Sequence, residues 1–324
     1  MKIVVCMATY NGEKFISEQI DSILNQSYSD FSLYISDDGS TDETLSIINR
    51  YINLDDRIIL LNKHDSTGSA KKNFLYLLEH VEGDLFLFCD QDDIWTNDHI
   101  ELLINSYNDL DEKTKENPVV VHADCKIVNQ NLDIISESLY DYLNFPPICY
   151  NKNFYFMYNN VTGGVSLINN VMKRFVFNNK KCLYENLDSI FMHDMFFATI
   201  AAYFGKIISL DSKIQFYRQH ESNVVGVSNA KSKKLLMKKI INIVFNNKFK
   251  SYYEIHNKTI ENSKKYAEFF LNYYFLQISD MDKNIIETFI NIKKLTKLNR
   301  IKFLIRNGFT KKSFYRNFGL FLAI

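Results

Sequence analysis

Three carboxylates fall within four residues at Asp90-Gln91-Asp92-Asp93, directly after the apolar run Leu85-Phe86-Leu87-Phe88-Cys89. Burying even one unpaired carboxylate is costly, so three at the end of a buried strand call for cations or solvent to keep them charged. Carboxylate oxygens at this density are what hard divalent cations such as Mg²⁺ or Mn²⁺ take, usually sharing the ion with substrate phosphates. A solvated acidic turn is the plainer reading, and the tetrapeptide alone does not choose. Two more polar clusters end apolar runs earlier in the chain: Thr9-Tyr10-Asn11-Gly12, and Asp37-Asp38-Gly39-Ser40-Thr41-Asp42.

The surrounding elements decide whether these clusters can meet. Residues 3–9 form a continuous apolar run, the mark of a strand covered on both faces. Glu13 to Gln26 follows helical spacing through Phe15, Ile16, Ile20, Ile23 and Leu24. A second strand, Phe31 to Ser36, leads to a helix carrying Leu45, Ile47, Ile48 and Tyr51, with Ser40 or Asp42 as its N-cap. Ile58 to Leu61 reads as a third strand, Gly68 to His80 as a third helix and Leu85 to Cys89 as a fourth strand. This alternation predicts an α/β fold, Rossmann-like, with a mostly parallel central sheet and helices on both faces. Ligands of such sheets sit at the carboxyl ends of the strands, where all three polar clusters would lie together. A nucleotide site is favoured. No G-x-G-x-x-G follows the first strand and no Walker-A sequence occurs, which disfavours an NAD enzyme and a P-loop NTPase.

Composition narrows the setting. With 324 residues, 46% of them hydrophobic and 15% aromatic, the chain has ample material for a core, and wholesale disorder is excluded. Its five cysteines are scattered with no C-x-x-C pair, which suits a reducing compartment better than a disulfide framework. Met1-Lys2-Ile3 leads straight into a strand and no long apolar run follows, so neither a signal peptide nor a membrane span is expected. A cytoplasmic protein is the expectation. Charge is zero overall but unevenly placed: residues 231–324 hold 20 Lys+Arg against 6 Asp+Glu, an excess of +14 balanced by −14 before them. Such a split suggests different partners for the two parts.

Ala8-Thr9-Tyr10-Asn11-Gly12, Ser36 to Asp42 and Asp90-Gln91-Asp92-Asp93-Ile94-Trp95 together resemble the successive motifs of family 2 glycosyltransferases of the GT-A fold. Downstream, Val161-Thr162-Gly163-Gly164, Met192-His193-Asp194 and Tyr217 to Gly226 resemble the bacterial rhamnosyltransferase-like branch. The resemblance covers roughly residues 1–230, in order. It implies a GT-A domain over 1–230, with a nucleotide-sugar half (1–95) and an acceptor and catalytic half (96–230), followed by a basic helical C-terminal region (231–324).

The resemblance also implies roles. Thr9, Tyr10 and Asn11 would hold the nucleotide, and Asp38 would accept from the pyrimidine ring N–H, although Asp37-Asp38-Gly39-Ser40 is equally a turn and helix cap. Gly68 and the small residues after it suit close approach to a phosphate or base, with Lys72 beside Lys71 facing the diphosphate or simply solvated. Asp90 would lie near the ribose and, with Asp92, at a Mn²⁺ or Mg²⁺ ion bridging the phosphates. Asp93 would orient the donor sugar. Asp194 would be the base of an inverting transfer, the alternative being an ordinary helix cap. His193 would orient Asp194 or touch the acceptor. His220 would contact metal or phosphate, Arg218 would pair with phosphate bidentately, and Gly163 and Gly164 would let backbone approach the donor sugar.

The implied activity is a metal-dependent inverting glycosyltransferase of surface polysaccharide synthesis. It would move L-rhamnose from dTDP-rhamnose, or alternatively a hexose or N-acetylhexosamine from a UDP-sugar, to a glycan or lipid-linked glycan. A catalytically silent sugar-nucleotide-binding scaffold is the competing class; the intact Asp90, Asp92 and Asp194 set speaks against it. The basic helical stretch from Ala230, with Leu235, Leu236, Ile240 and Ile241 among lysines, reads as a peripheral anchor on an anionic membrane. Oligomerisation, or packing on the catalytic domain, are its alternatives. Nucleic-acid binding is not expected, because those lysines form no known nucleic-acid module.

Overall fold

A computed structural model describes residues 1–61, 66–149, 151–221, 223, 249–311, 317, 320, 321, 323 and 324. The chain divides into two compact units. One is Met1–Ile148, Asn160–Asn178 and Met192–Val227; the other is Cys149–Asn159, Asn179–Phe191 and Ser228–Ile324.

The first unit opens with the expected alternation: β1 Ile3–Thr9, α1 Ile16–Leu24, β2 Phe31–Asp37, α2 Thr44–Ile52, β3 Ile58–Leu60, α3 Ala70–His80 and β4 Leu85–Asp90. Then come β5 Ile94–Trp95, α4 His99–Asn108, α5 Glu112–Lys115, β6 Val119–Asn129, β7 Ile134–Ser136 and α6 Leu139–Leu143. β8 Ser166–Asn169, α7 Asn170–Val176, α8 Lys180–Glu185 (in the second unit), α9 His193–Phe204 and β9 Lys206–Gln219 complete the series. One sheet runs β3-β2-β1-β4-β8-β6-β9-β5, with β7 added on β6. Its parallel character is confined to β3-β2-β1-β4 and the β6–β9 pair; β8 runs antiparallel to both β4 and β6. The sheet is therefore mixed and not mostly parallel, and the first four strands are the part that alternation describes.

The core follows from the periodicities. Every residue of β1 except Ala8 is buried, and α1 turns Ile16, Ile20 and Ile23 onto the sheet. Helix α1 begins later than spacing alone suggests. The N–H groups of Asn11, Gly12 and Glu13 donate instead to Ser40 Oγ (2.8 Å), Thr44 Oγ1 (2.8 Å) and Asp42 Oδ2 (3.1 Å), so this stretch is a loop tied to the end of β2. Neither Ser40 nor Asp42 is the N-cap residue of α2. Glu43 holds that position, although Asp42 does accept the Thr44 N–H at 3.0 Å.

In the second unit the helices Phe249–Tyr273, Asp280–Ile290 and Lys297–Arg306 enclose an aromatic core. Phe156 meets Tyr266 and Phe270 edge-on, and Phe289 stacks on Phe309 at 4.3 Å. Lys152 pairs with Asp282 at 2.6 Å. These contacts draw 149–159 out of the 96–230 stretch in which sequence places it. Among the described residues no helix is long and apolar enough to cross a membrane. The basic stretch expected to be helical around 235–245 lies outside the described residues.

Candidate active site

Register brings the three polar loops together. Ala8 lies opposite Asp90 and Thr9 opposite Asp37, so β1, β2 and β4 end at one level. The Thr9 hydroxyl is buried and donates to Asp37 Oδ1 (2.8 Å), whose other oxygen accepts the N–H groups of Gly39 and Ser40. Asn11 takes a left-handed φ of 47°, which Asn tolerates better than most side chains, and its side-chain Oδ1 accepts the Thr41 N–H. Thr9 and Asn11 are thus spent on loop structure. Tyr10, 56% exposed, offers its ring to a ligand.

The loop after β1 is also sewn to the acidic turn. The Tyr10 N–H donates to Gln91 Oε1 and Gln91 Nε2 donates to the Tyr10 carbonyl, both at 2.8 Å. Glycine at 12 is what lets the Gln91 amide lie there: a Cβ on Gly12 would stand 2.3 Å from Oε1.

Asp38 is buried and loaded by the next loop. Its carboxylate accepts the Thr67 N–H (2.6 Å), the Thr67 hydroxyl (2.9 Å) and the Ser69 N–H (3.2 Å). Gly68, at φ +62° with open space around it, makes the bend between those donors. At the start of α3 the buried lysine is Lys71, while Lys72 is partly exposed. Asn73 grips β2 from both ends of its amide, accepting from Ser36 Oγ (2.6 Å) and donating to the Ser36 carbonyl (2.7 Å).

In the acidic turn the three aspartates separate sharply. No donor among the described residues reaches the Asp90 carboxylate, and burial, then the charges of Asp92 and Asp194, push its pKa up to about 7. Asp92 Oδ2 lies 2.7 Å from His220 Nε2, and the His220 ring stacks on Phe15 at 4.8 Å. Asp93 is buried and turned to β9, where Gln215 Nε2 (2.5 Å) and the Arg218 N–H (2.9 Å) hold its oxygens. Burial drives its pKa well up. It braces the sheet and is not free to orient a donor sugar. Trp95, packed on His99 at 3.8 Å, is a core anchor.

Arg218 likewise departs from the phosphate clamp expected of it. It is 2% exposed. Its Nε donates to the Asp92 carbonyl (2.8 Å), one terminal nitrogen to the Gln130 carbonyl (2.9 Å) and the other to Glu18 Oε2 (2.5 Å), with the guanidinium over the Phe15 ring. It holds the acidic turn from behind.

Asp194 sits in the first turn of α9, whose N-cap is Met192. It is a partly buried carboxylate held by two backbone donors: Gly163 N–H to Oδ2 (3.2 Å) and Met195 N–H to Oδ1 (2.6 Å). Burial outweighs those donors and raises its pKa to about 6. The charge of Asp194 is among the causes that raise the Asp90 pKa, so the two carboxylates lie within electrostatic reach. His193 does not orient Asp194. Its ring lies among Phe74, Phe88 and Phe197, neither nitrogen has a hydrogen-bond partner among the described residues, and burial lowers its pKa to about 3. The ring presses on Gly163, where a Cβ would stand 2.9 Å from Nε2; a Cβ on Gly164 would meet Gln215 Oε1 at 2.7 Å. Both glycines are thus required by packing inside the protein.

Among the described residues no three His, Cys, Asp or Glu side chains group to hold a metal ion by themselves. The chemistry of Asp90 and Asp92 suits an ion shared with a diphosphate: no donor among the described residues reaches the partly buried Asp90 carboxylate, whose charged form is disfavoured until a cation meets it, and Mg²⁺ or Mn²⁺ commonly takes one or two carboxylates plus phosphate oxygens.

The model of glycosyl transferase family 2 matches residues 4–179, more than half of the chain. The chain belongs to that family. It is 33% identical over 240 residues to dTDP-rhamnosyl transferase RfbG of Shigella flexneri, covering 71% of this glycosyltransferase and 78% of the relative. A shorter match, 30% over 129 residues, covers 47% of the UDP-Glc:alpha-D-GlcNAc-diphosphoundecaprenol beta-1,3-glucosyltransferase WfgD of Escherichia coli. Among solved structures, TarS 1–349 of S. aureus aligns over 100% of this glycosyltransferase and 79% of that chain, with a TM-score of 0.52 at 19% identity. The fold is of the GT-A type.

Several residues that build this glycosyltransferase's site carry no mark in the sequence. Gln91 stands inside the acidic motif without an assigned role. Glu18 and Phe15, partners of Arg218 and His220, sit on a helix that reads only as amphipathic. Gln215 and Asn73 are single amides in elements where periodicity reports nothing about them. Of these, Gln91 and Asn73, the latter next to Lys72 in the small-residue stretch, lie within stretches that the sequence singles out.

Proposed function

We propose that this glycosyltransferase moves a sugar with inversion from a nucleoside diphosphate to a hydroxyl of a glycan or lipid-linked glycan in bacterial surface polysaccharide synthesis. L-Rhamnose from dTDP-rhamnose is the first donor to consider, supported by similarity to RfbG over most of both chains. The observation that carries the mechanism is Asp194 itself, a partly buried carboxylate held by the Gly163 and Met195 N–H groups within electrostatic reach of Asp90. One carboxylate stands with the acidic turn, where the leaving group would be neutralised; the other stands where the incoming hydroxyl must lose its proton.

In the displacement, the acceptor oxygen bonds to the anomeric carbon as the bond to the diphosphate oxygen breaks, and the electron pair leaves with the diphosphate. The hydroxyl proton passes to Asp194, which is largely ionised above its raised pKa of about 6. The N–H groups of Gly163 and Met195 fix its orientation. Asp90 and Asp92, with His220 beside Asp92, would hold a divalent cation. Bound there, Mn²⁺ or Mg²⁺ would supply Lewis-acid stabilisation of the departing diphosphate. Tyr10 would stack on or flank the nucleotide, Asp38 would read the base, and Lys72 would face the diphosphate.

A UDP-hexose donor is the second reading, supported by the WfgD match. Thermal-shift measurements with Mn²⁺ and UDP-, GDP- and dTDP-sugars decide between them, because a ligand that binds only the native state raises its melting temperature by mass action. Stabilisation by dTDP-rhamnose above all others is expected. A UDP-sugar leading the panel would replace the donor, and no response to any member would sink the nucleotide-sugar reading. The positive balance of residues 231–324 further supports a peripheral position on the inner face of the cytoplasmic membrane, where a lipid-linked acceptor would be presented.

A further inference from the structure

We infer that the helix Lys297–Arg306 is the face with which the C-terminal unit docks on an anionic lipid surface. This inference rests on the membrane reading above and locates it.

The helix has a clear inside. Leu304 is fully buried, and the Arg300 guanidinium is spent inward on the carbonyls of Lys293 (2.6 Å), Leu295 (2.7 Å) and Ile324 (3.0 Å). That fixes the opposite face outward. Leu298 and Ile305 are one heptad apart, so they share that face, and they are 63% and 53% exposed. Lys302 and Arg306, both exposed, lie alongside them, and exposed Lys294 and Lys297 precede them.

Single exposed aliphatic residues are ordinary. The charge around these two is what sets the helix apart. No acidic residue occurs anywhere from 288 to 324, against nine Lys+Arg. Among the described residues none of Lys294, Lys297, Lys302 and Arg306 has an ion-pair partner. Several other lysines of this unit are paired, as Lys264 is with Glu261, Lys283 with Asp280 and Lys293 with Glu261. A uniformly cationic face is self-repelling until it meets negative charge. Lipid phosphates supply that charge, and the acyl region just beneath takes the two aliphatic side chains. A nucleic-acid backbone would answer the lysines but leave Leu298 and Ile305 without apolar contact, so a bilayer is the occupant that uses the whole face.

The test is sedimentation of the full chain with vesicles of phosphatidylcholine alone or mixed with phosphatidylglycerol. The wild-type chain is expected to sediment with the mixed vesicles only, and to be released by salt. K302E/R306E should lower its partitioning roughly tenfold or more, and L298S/I305S by several fold. K265E, a charge reversal at an exposed position on the helix Phe249–Tyr273, should have little effect. All variants should keep the wild-type melting temperature, since the substituted side chains face outward. Wild-type binding that every variant retains would leave membrane contact standing and overturn the role of this helix. No wild-type binding to the mixed vesicles would overturn both. Binding of a random oligonucleotide without vesicle binding, or a dimer lost in L298S/I305S without vesicle binding, would assign the face to a different partner and likewise overturn the proposal.

Discussion

Gln91 and Tyr10 exchange two hydrogen bonds, each 2.8 Å, between the amide side chain of the acidic turn and the backbone of the loop after β1. The pair couples the loop proposed to hold the nucleotide to the turn that carries Asp90 and Asp92, and it exists only because residue 12 has no side chain. Gln91→Glu keeps the size and the acceptor but loses the donor. At about 1 kcal/mol per hydrogen bond, that variant should lose roughly fivefold in kcat/KM for the donor. Gly12→Ala should act in the same direction by displacing the amide. Steady-state kinetics with donor and acceptor varied separately check this; a change confined to the acceptor KM would break the link between the two loops.

Asp194 makes a prediction in pH. Burial has raised its pKa to about 6, so the basic form that the proposed transfer needs is lost as pH falls through that value. kcat should drop about tenfold per pH unit on the acid side and flatten above neutrality. Asp194→Asn preserves the shape and should lower kcat by about 10²–10⁴ while donor affinity stays close to wild type. A variant with unchanged turnover would remove Asp194 from proton transfer.

Asp90 is destabilising as long as nothing neutralises it. Its folded pKa of about 7 lies above the ordinary 3.8, so the folded chain binds more protons than the unfolded one between those values. Stability therefore falls as pH rises through that window. Asp90→Asn should raise the melting temperature of the metal-free protein by about 2–4 °C at about pH 8, and it should abolish transfer. Calorimetry with a chelator present measures this. An unchanged or lower melting temperature would mean that another group already compensates the charge.

Sequence reading reaches the parts of this protein that rest on periodicity. The strands and helices up to Asp90 follow from runs such as Ile3–Thr9, and the meeting of Thr9, Asp37 and Asp90 follows from strand ends lying at one level. Function of individual side chains is less legible, because it depends on which way each carboxylate turns. Asp92 and Asp93 are neighbours with identical side chains. One faces His220 and the other is buried against Gln215, a difference decided by the turn between β4 and β5 and by contacts more than a hundred residues away. The antiparallel insertion of β8 and the capture of 149–159 by the aromatic core of the second unit are equally non-local. The same holds for Arg218, whose neighbour in sequence, Gln219, gives no hint of Glu18.

Arg218 offers the sharpest separation of bracing from binding. Its guanidinium joins the Asp92 and Gln130 carbonyls to Glu18 while 2% exposed, a geometry that a lysine cannot reproduce because it lacks the planar fork. Arg218→Lys should therefore destabilise the protein by about 2–4 kcal/mol, chiefly through buried carbonyls left without donors. Removing only the half-exposed partner, in Glu18→Gln, should cost less than about 1 kcal/mol. A phosphate clamp would show the reverse pattern in Arg218→Lys: weaker donor binding at an unchanged unfolding midpoint. Denaturant titration beside donor-binding measurements on both variants distinguishes the two, and a stable Arg218→Lys with poor donor affinity would return this arginine to the diphosphate.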